Sequence, residues 1–340
     1  MVSAKAQRLG PVVAIFAILL TACQTTPPDR RSDVARLAQL IREIPGVLTV
    51  TSDVVNNPAR GLMSFTIHVE TAEDISAGQL GAVTARYLQA LSMVDYTGYQ
   101  TELEAHYGSN HFAIDGGALP IVNDQQIISQ ARGWVALRHQ FPSSTINLRA
   151  TIVHPEGQSQ ARDRGHSNIG TIHLGDGSNF TDVAAVITVL ADRFAELASL
   201  TWTVNAGTPH PAEIKTSGRY PSPQELDVWR LVNADQSITH IDKMTVGGRV
   251  GAPVWIAEAT RSHHPDAAAA LAQRHLPLMR RIPAPVLYTS SDQIQGNIAN
   301  DGRAAGPIAI TVGGCTDRQE YQLSPVERDL MNIYETCGHP

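Results

Sequence analysis

Two hydrophobic rhythms alternate along this chain. Near the start of the patterned region, Val34, Leu37, Leu40 and Ile41 recur at the spacing of one helix face, and Pro45-Gly46 ends the run. Ser32 is placed to cap this helix, and Asp33 suits its positive end. Residues 47–55 read as a strand, the Asn56-Asn57-Pro58-Ala59-Arg60-Gly61 stretch as a turn, and 63–69 as a half-buried strand alternating apolar and polar residues.

That order returns repeatedly. Helices are predicted near 76–91, 124–140, 181–197, 223–233 and 266–280. The strand pairs that follow them are 96–106 with 111–114, 145–153 with 168–174, 201–205 with 213–216, 239–246 with 254–259, and 286–289 with 308–312. A last helix is expected over 325–334, and Thr181-Asp182 is the expected cap of the fourth.

The helix spacing falls into two similar triplets. Ser32-Asp33-Val34-Ala35 matches Thr181-Asp182-Val183-Ala184, and Ser76 and Leu80 match Ser222 and Leu226. These matches suggest a tandem duplication, with a first α+β domain over 32–178 and a second over 179–340. Paired strands between helices argue against an all-parallel sheet, and the short links within pairs point to antiparallel hairpins. The expected fold class is therefore α+β: antiparallel sheets with helices on one face, in a ferredoxin-like arrangement, in two related halves.

The N-terminus has a different character. Lys5 and Arg8 precede a ten-residue apolar run from Pro11 to Leu20. A membrane-crossing helix needs about 20 apolar residues, so this run is too short to be one and has the form of an export signal. It ends in Leu20-Thr21-Ala22-Cys23, which resembles the lipobox of bacterial lipoprotein precursors. The resemblance implies that residues 1–22 are removed and that Cys23 becomes the acylated first residue. Residues 23–31 would then be a short tether holding the body beside the cell membrane, on its extracytoplasmic side. Two or more acyl chains are enough for stable anchoring.

Composition narrows the partners. Removing Lys5 and Arg8 leaves 24 basic against 32 acidic side chains, so the mature chain is acidic and poorly suited to nucleic acid. Only Lys5, Lys215 and Lys243 are lysines, an arginine bias that suggests a GC-rich bacterial genome. Beyond Cys23 there are two cysteines, Cys315 and Cys337, an even pair expected to form a disulfide in an exported chain.

No local motif announces an enzyme. The chain lacks Gly-x-Ser-x-Gly, His-Glu-x-x-His and a phosphate-cradling Gly-Lys-Ser/Thr loop. Lys215-Thr216-Ser217-Gly218 lacks the Ser-x-x-Lys that would make it part of a penicillin-binding site, and Asp176-Gly177 lacks the acidic series of a calcium loop. The 13 histidines include His106 and His111, His166 and His173, and adjacent His263-His264. Pairs alone do not supply three or four metal ligands, so neither a metal nor another cofactor is expected. Trp134, Trp202, Trp229 and Trp255 are expected in the core. The reading is a non-catalytic envelope lipoprotein that binds an envelope protein or cell-wall component. The alternatives are a hydrolase built from dispersed His and carboxylate groups, and a small-molecule binder.

Overall fold

The computed structural model describes residues 28–117, 120–155, 168–207, 211–248, 251–262, 264–292, 303, 307–318 and 322–337. Cys23, the expected signal segment and most of the expected tether lie outside the described residues, as do His166, His210, His263 and His339. Among the described residues, no helix is long and apolar enough to cross a membrane.

Helices and strands follow one another as six helix-hairpin units. The first is α1 (Arg31–Arg42), β1 (Val47–Asn57) and β2 (Leu62–Thr71). The second is α2 (Ala77–Met93), β3 (Gln100–Tyr107) and β4 (Asn110–Gly117), and the third is α3 (Asp124–Gln140), β5 (Thr145–Thr151) and β6 (Ile169–His173). Then come α4 (Phe180–Arg193), β7 (Thr201–Asn205) and β8 (Ala212–Ser217), followed by α5 (Pro223–Ala234), β9 (His240–Val246) and β10 (Val254–Thr260). The sixth unit is α6 (Pro265–Met279), β11 (Val286–Ser291) and β12 (Ile308–Val312), and α7 (Pro325–Tyr334) closes the chain.

Among the described residues, twelve strands form one sheet in strict sequence order. Each hairpin is antiparallel, and each step between units is parallel, as in β2–β3 and β8–β9. The mixture of α and β and the antiparallel hairpins agree with the sequence reading. The ferredoxin-like order does not appear, because that arrangement interleaves its strands, whereas here every strand lies beside its neighbour in sequence. The expected division near residue 178 falls between β6 and β7, which pair in parallel from Ile169↔Thr201 to His173↔Asn205, so the sheet runs through it.

Successive crossovers of one hand, all stepping in the same direction, place the helices on the same face. The alternating burial of the strands agrees: Phe65, Ile67 and Val69 of β2 are buried with Leu103 of β3 and Ile214 of β8 in one continuous core. Trp134, Trp202 and Trp229 are fully buried there. Trp255 departs from expectation: it lies on the opposite face and donates through Nε1 to Thr289 Oγ1 at 2.9 Å.

The helix starts explain the register of the units. Ser76 with Gln79 and Ser222 with Glu225 form complete capping boxes, and Asn179 with Asp182 forms a third, two residues earlier than the Thr181 cap expected. Ser32 does not cap α1, which begins at Arg31 with Arg30 as its N-cap residue. Arg30 instead reaches Asp95 O and Asp33, and Tyr99 donates to Pro28 O, so residues 28–30 lie against the body of the fold. Cys315 and Cys337 are disulfide-bonded, with their Cα atoms 5.0 Å apart.

Candidate functional site

The strand alternation that builds the core also brings charge into it. On β9, Met244 and Val246 point toward the helices, and two and four residues earlier the same phase carries Asp242 and His240. On β10, Val254 and Ile256 share that face with Glu258. Asp242 and Glu258 are direct cross-strand partners in the β9–β10 register. From above, α6 places His275 among Leu271, Ala272, Leu276 and Met279 on its buried stripe. Tyr288 of β11 completes the group and is also fully buried.

The contacts run from one group to the next. His275 Nδ1 lies 2.6 Å from Glu258 Oε1, and the Tyr288 hydroxyl donates to Glu258 Oε2. His275 Nε2 faces Asp235 Oδ2 at 3.4 Å, and the Arg274 guanidinium holds that same oxygen at 2.6 Å. His240 Nδ1 lies 2.5 Å from Ile238 O. His240 Nε2 lies 3.2 Å from Asp242 Oδ2 as an ion-pair contact, and neither His240 Nε2 nor Asp242 Oδ1, both buried, has a hydrogen-bond partner.

Burial alone would lower the His240 imidazole, but the Asp242 carboxylate outweighs it and pushes the group up to about 9. His275 is raised against the same burial penalty by Glu258. Burial drives the Asp242 and Glu258 carboxyls upward. The half-buried Asp235 is held well below the usual carboxylate range by Ser237 and Arg274. The two imidazole–carboxylate pairs therefore hold their protons more firmly than the separate groups would in water.

A cavity of about 500 Å³ opens beside this cluster. His240 and Asp242 form part of its wall, with Asn179 from the start of α4, Asn233 and Gln236 from the end of α5, and Arg261 just after β10. A pocket with amides, a guanidinium and a buried His–Asp pair offers converging donors and acceptors to a small polar molecule.

A second grouping lies on the open face. His106 and His111, the pair noted from sequence, are cross-strand partners whose rings stack at 4.5 Å. Glu104 Oε2 is 2.9 Å from His68 Nδ1 and 3.4 Å from His106 Nε2, and His68 also meets Asp53. Burial, with His106 beside it, pushes His111 down. His173 also lies on this face, against Asn205 of β7, and His264 caps α6. Lys215 sits near Glu213 on β8, in an ordinary strand end.

Comparison with known protein families, characterised proteins and solved structures finds no match for this chain. His240, Asp242, Glu258 and His275 escaped the motif search because they are dispersed over three elements. A signal was nevertheless present: each stands in phase with a buried apolar stripe, where a charged residue needs a reason to be.

Proposed function

We propose that this chain is a lipid-anchored protein of the bacterial cell envelope that binds a small polar ligand without transforming it. One observation carries the binding reading: a cavity of about 500 Å³ is lined by His240, Asp242, Asn233 and Arg261, and His240 Nε2 and Asp242 Oδ1 are buried without hydrogen-bond partners. Buried polar groups are usually satisfied, so such a pair beside a cavity with converging donors and acceptors supports the binding of a polar occupant. The lipobox-like Leu20-Thr21-Ala22-Cys23 supports anchoring, and Cys23 is proposed as the acylated residue. A larger envelope partner would meet the open sheet face, where Thr51, Thr66, Glu104 and Arg149 alternate with core residues.

A hydrolase is the second reading, favoured by the convergence of two imidazoles and two carboxylates beside the cavity. The experiment is a thermal-shift screen of small envelope-derived polar molecules on the full chain, run beside hydrolysis assays on the same compounds. The expected result is a saturable rise in melting temperature that Arg261→Ala weakens by about tenfold, the scale of one charged hydrogen bond, with no turnover. Turnover lost on replacing His240 or Glu258 would favour the hydrolase instead.

Anchoring has its own test. Cys23→Ala is expected to abolish acylation and leave the precursor uncut in the producing cell, read by mass spectrometry of the membrane fraction. Normal acylation of that variant would sink the assignment.

The six units are also proposed to derive from a duplication of three. The starts of α1 to α3 at 31, 77 and 124 are echoed by those of α4 to α6 at 180, 223 and 265.

A further inference from the structure

We propose that His240, His275 and Glu258, with Asp242 beside them, form a closed binding site for one divalent transition cation of the zinc class. One donor atom from each of the first three residues lies within 4.8 Å of the others, and all three residues are buried. Two imidazoles and carboxylate oxygens without thiolate make a donor set suited to zinc and its first-row neighbours.

The surroundings carry the assignment further than the donors do. A metal-bound imidazole turns its second ring nitrogen toward a carbonyl or carboxylate, which fixes the ring. Both imidazoles do this: His240 Nδ1 meets Ile238 O, and His275 Nε2 meets Asp235, itself held by Arg274. That leaves His240 Nε2 and His275 Nδ1 turned inward. The outer oxygen of Glu258 takes the Tyr288 hydroxyl, leaving Oε1 for the centre. Asp242 Oδ1 and His240 Nε2 are buried without hydrogen-bond partners, and that nitrogen lies 3.2 Å from Asp242 Oδ2.

Charge points the same way. Asp242 and Glu258 are opposed across adjacent strands in the dry interior, where two like charges repel strongly. A dication between them offsets both at once. Two separate buried ion pairs, His240 with Asp242 and His275 with Glu258, would also offset them, but would leave Asp242 Oδ1 without a partner. Ligand atoms about 2.0–2.1 Å from a tetrahedral zinc stand about 3.3 Å apart, so the present 2.6 Å between His275 and Glu258 would open on binding. The adjoining cavity, walled in part by His240 and Asp242, provides the way in. The assignment does not rest on a small ligand entering that cavity: it gives His240 Nε2 and Asp242 Oδ1 to the cation, and a ligand in the cavity would then meet Asn179, Asn233, Gln236 and Arg261.

The open-face grouping of His68, Glu104 and His106 is the built-in control, since its three donors are similarly close but partly exposed. The full chain, purified in detergent, would be dialysed against a chelator, given zinc chloride, freed of excess metal and analysed for metal content. The expected result is one tightly held zinc per chain and a higher melting temperature than the chelated form. Tyr288→Phe and Asp235→Asn, which remove only outer partners, should each weaken zinc by about 10- to 100-fold. His275→Gln should abolish tight retention, and His106→Ala should leave it unchanged. If His275→Gln does not fold, Tyr288→Phe and Asp235→Asn decide. No retained zinc in the parent chain would overturn the proposal. So would retention that survives Tyr288→Phe and Asp235→Asn unchanged but is lost in His106→Ala.

Discussion

Glu327→Ala should destabilise the protein by about 3 kcal/mol, the scale of breaking a buried charged contact, and should do so at the edge of the sheet. Glu327 is fully buried at the third position of α7, where its backbone N–H is capped by Ser324. Its Oε1 accepts from the backbone N–H of Ala309 on β12, the last strand. Arg318 stands beside it, paired more closely with Glu335 and donating to Ala309 O. These contacts, with the Cys315–Cys337 bridge, fold the C-terminal segment over a strand edge that would otherwise invite pairing with another chain. Alanine would leave the Ala309 N–H buried without its acceptor and Arg318 with one fewer counter-charge. Glu327→Gln keeps an acceptor and should lose about 1 kcal/mol, near the net worth of an ordinary hydrogen bond. Guanidinium denaturation would measure both, and light scattering would show whether the freed edge self-associates. An alanine variant within about 0.5 kcal/mol of the parent, the range of ordinary surface changes, would refute this role for Glu327.

The order and type of the elements were legible because each amphipathic surface repeats its own period. The inward stripe of Val34, Leu37 and Ile41 and the alternation of Phe65, Ile67 and Val69 each identify one element without reference to any other. How elements pair is a different kind of information. Nothing in the period of β2 says that its free side joins β3 in parallel, because alternation is the same in both senses. The ferredoxin-like expectation failed on this point. Caps were legible where a serine was followed three residues later by Gln or Glu, as at Ser76 and Ser222. Ser32 failed because Arg30 and Arg31, tied to Asp33 and Asp29, carry α1 back past it.

The site was least legible for a related reason. His240 and Asp242 lie on β9, Glu258 on β10, Tyr288 on β11 and His275 on α6, so their meeting depends on register and crossover together. A search for ligands close in sequence finds His106 and His111 instead, which do meet, but on the open face. The informative sign was the in-phase charge. Glu258 follows Val254 and Ile256 at the spacing of the core, and His275 sits on the same helical stripe as Leu271 and Met279.

The packing of the same sheet sets the other large effect. Gly170→Val should destabilise the fold by at least about 3 kcal/mol, the upper end of what overpacking a core produces. Gly170 lies on the inner face of β6, directly opposite Trp202 of β7 in a parallel pair. The Trp202 ring lies over the space a side chain at 170 would fill: a Cβ there would sit within 2.7 Å of three ring carbons. The ring cannot easily withdraw. Trp202 is fully buried, and its Nε1 donates to Leu197 O at 2.9 Å. Glycine is therefore required here for space, since the backbone conformation is ordinary extended strand. Gly170→Ala should lose less, about 1–3 kcal/mol, because one methyl carbon must be accommodated instead of three. Combining it with Trp202→Leu should cost less than the sum of the two single changes, because the smaller side chain vacates the space that the new methyl needs. Gly251→Ala is the contrast: nothing lies within 4 Å of its added Cβ, and its stability should stay within about 0.5 kcal/mol of the parent. Denaturation of Gly170→Val, Gly170→Ala, Trp202→Leu, the double variant and Gly251→Ala gives the test, and strict additivity between Gly170→Ala and Trp202→Leu would show that the ring does not decide the choice of residue at 170.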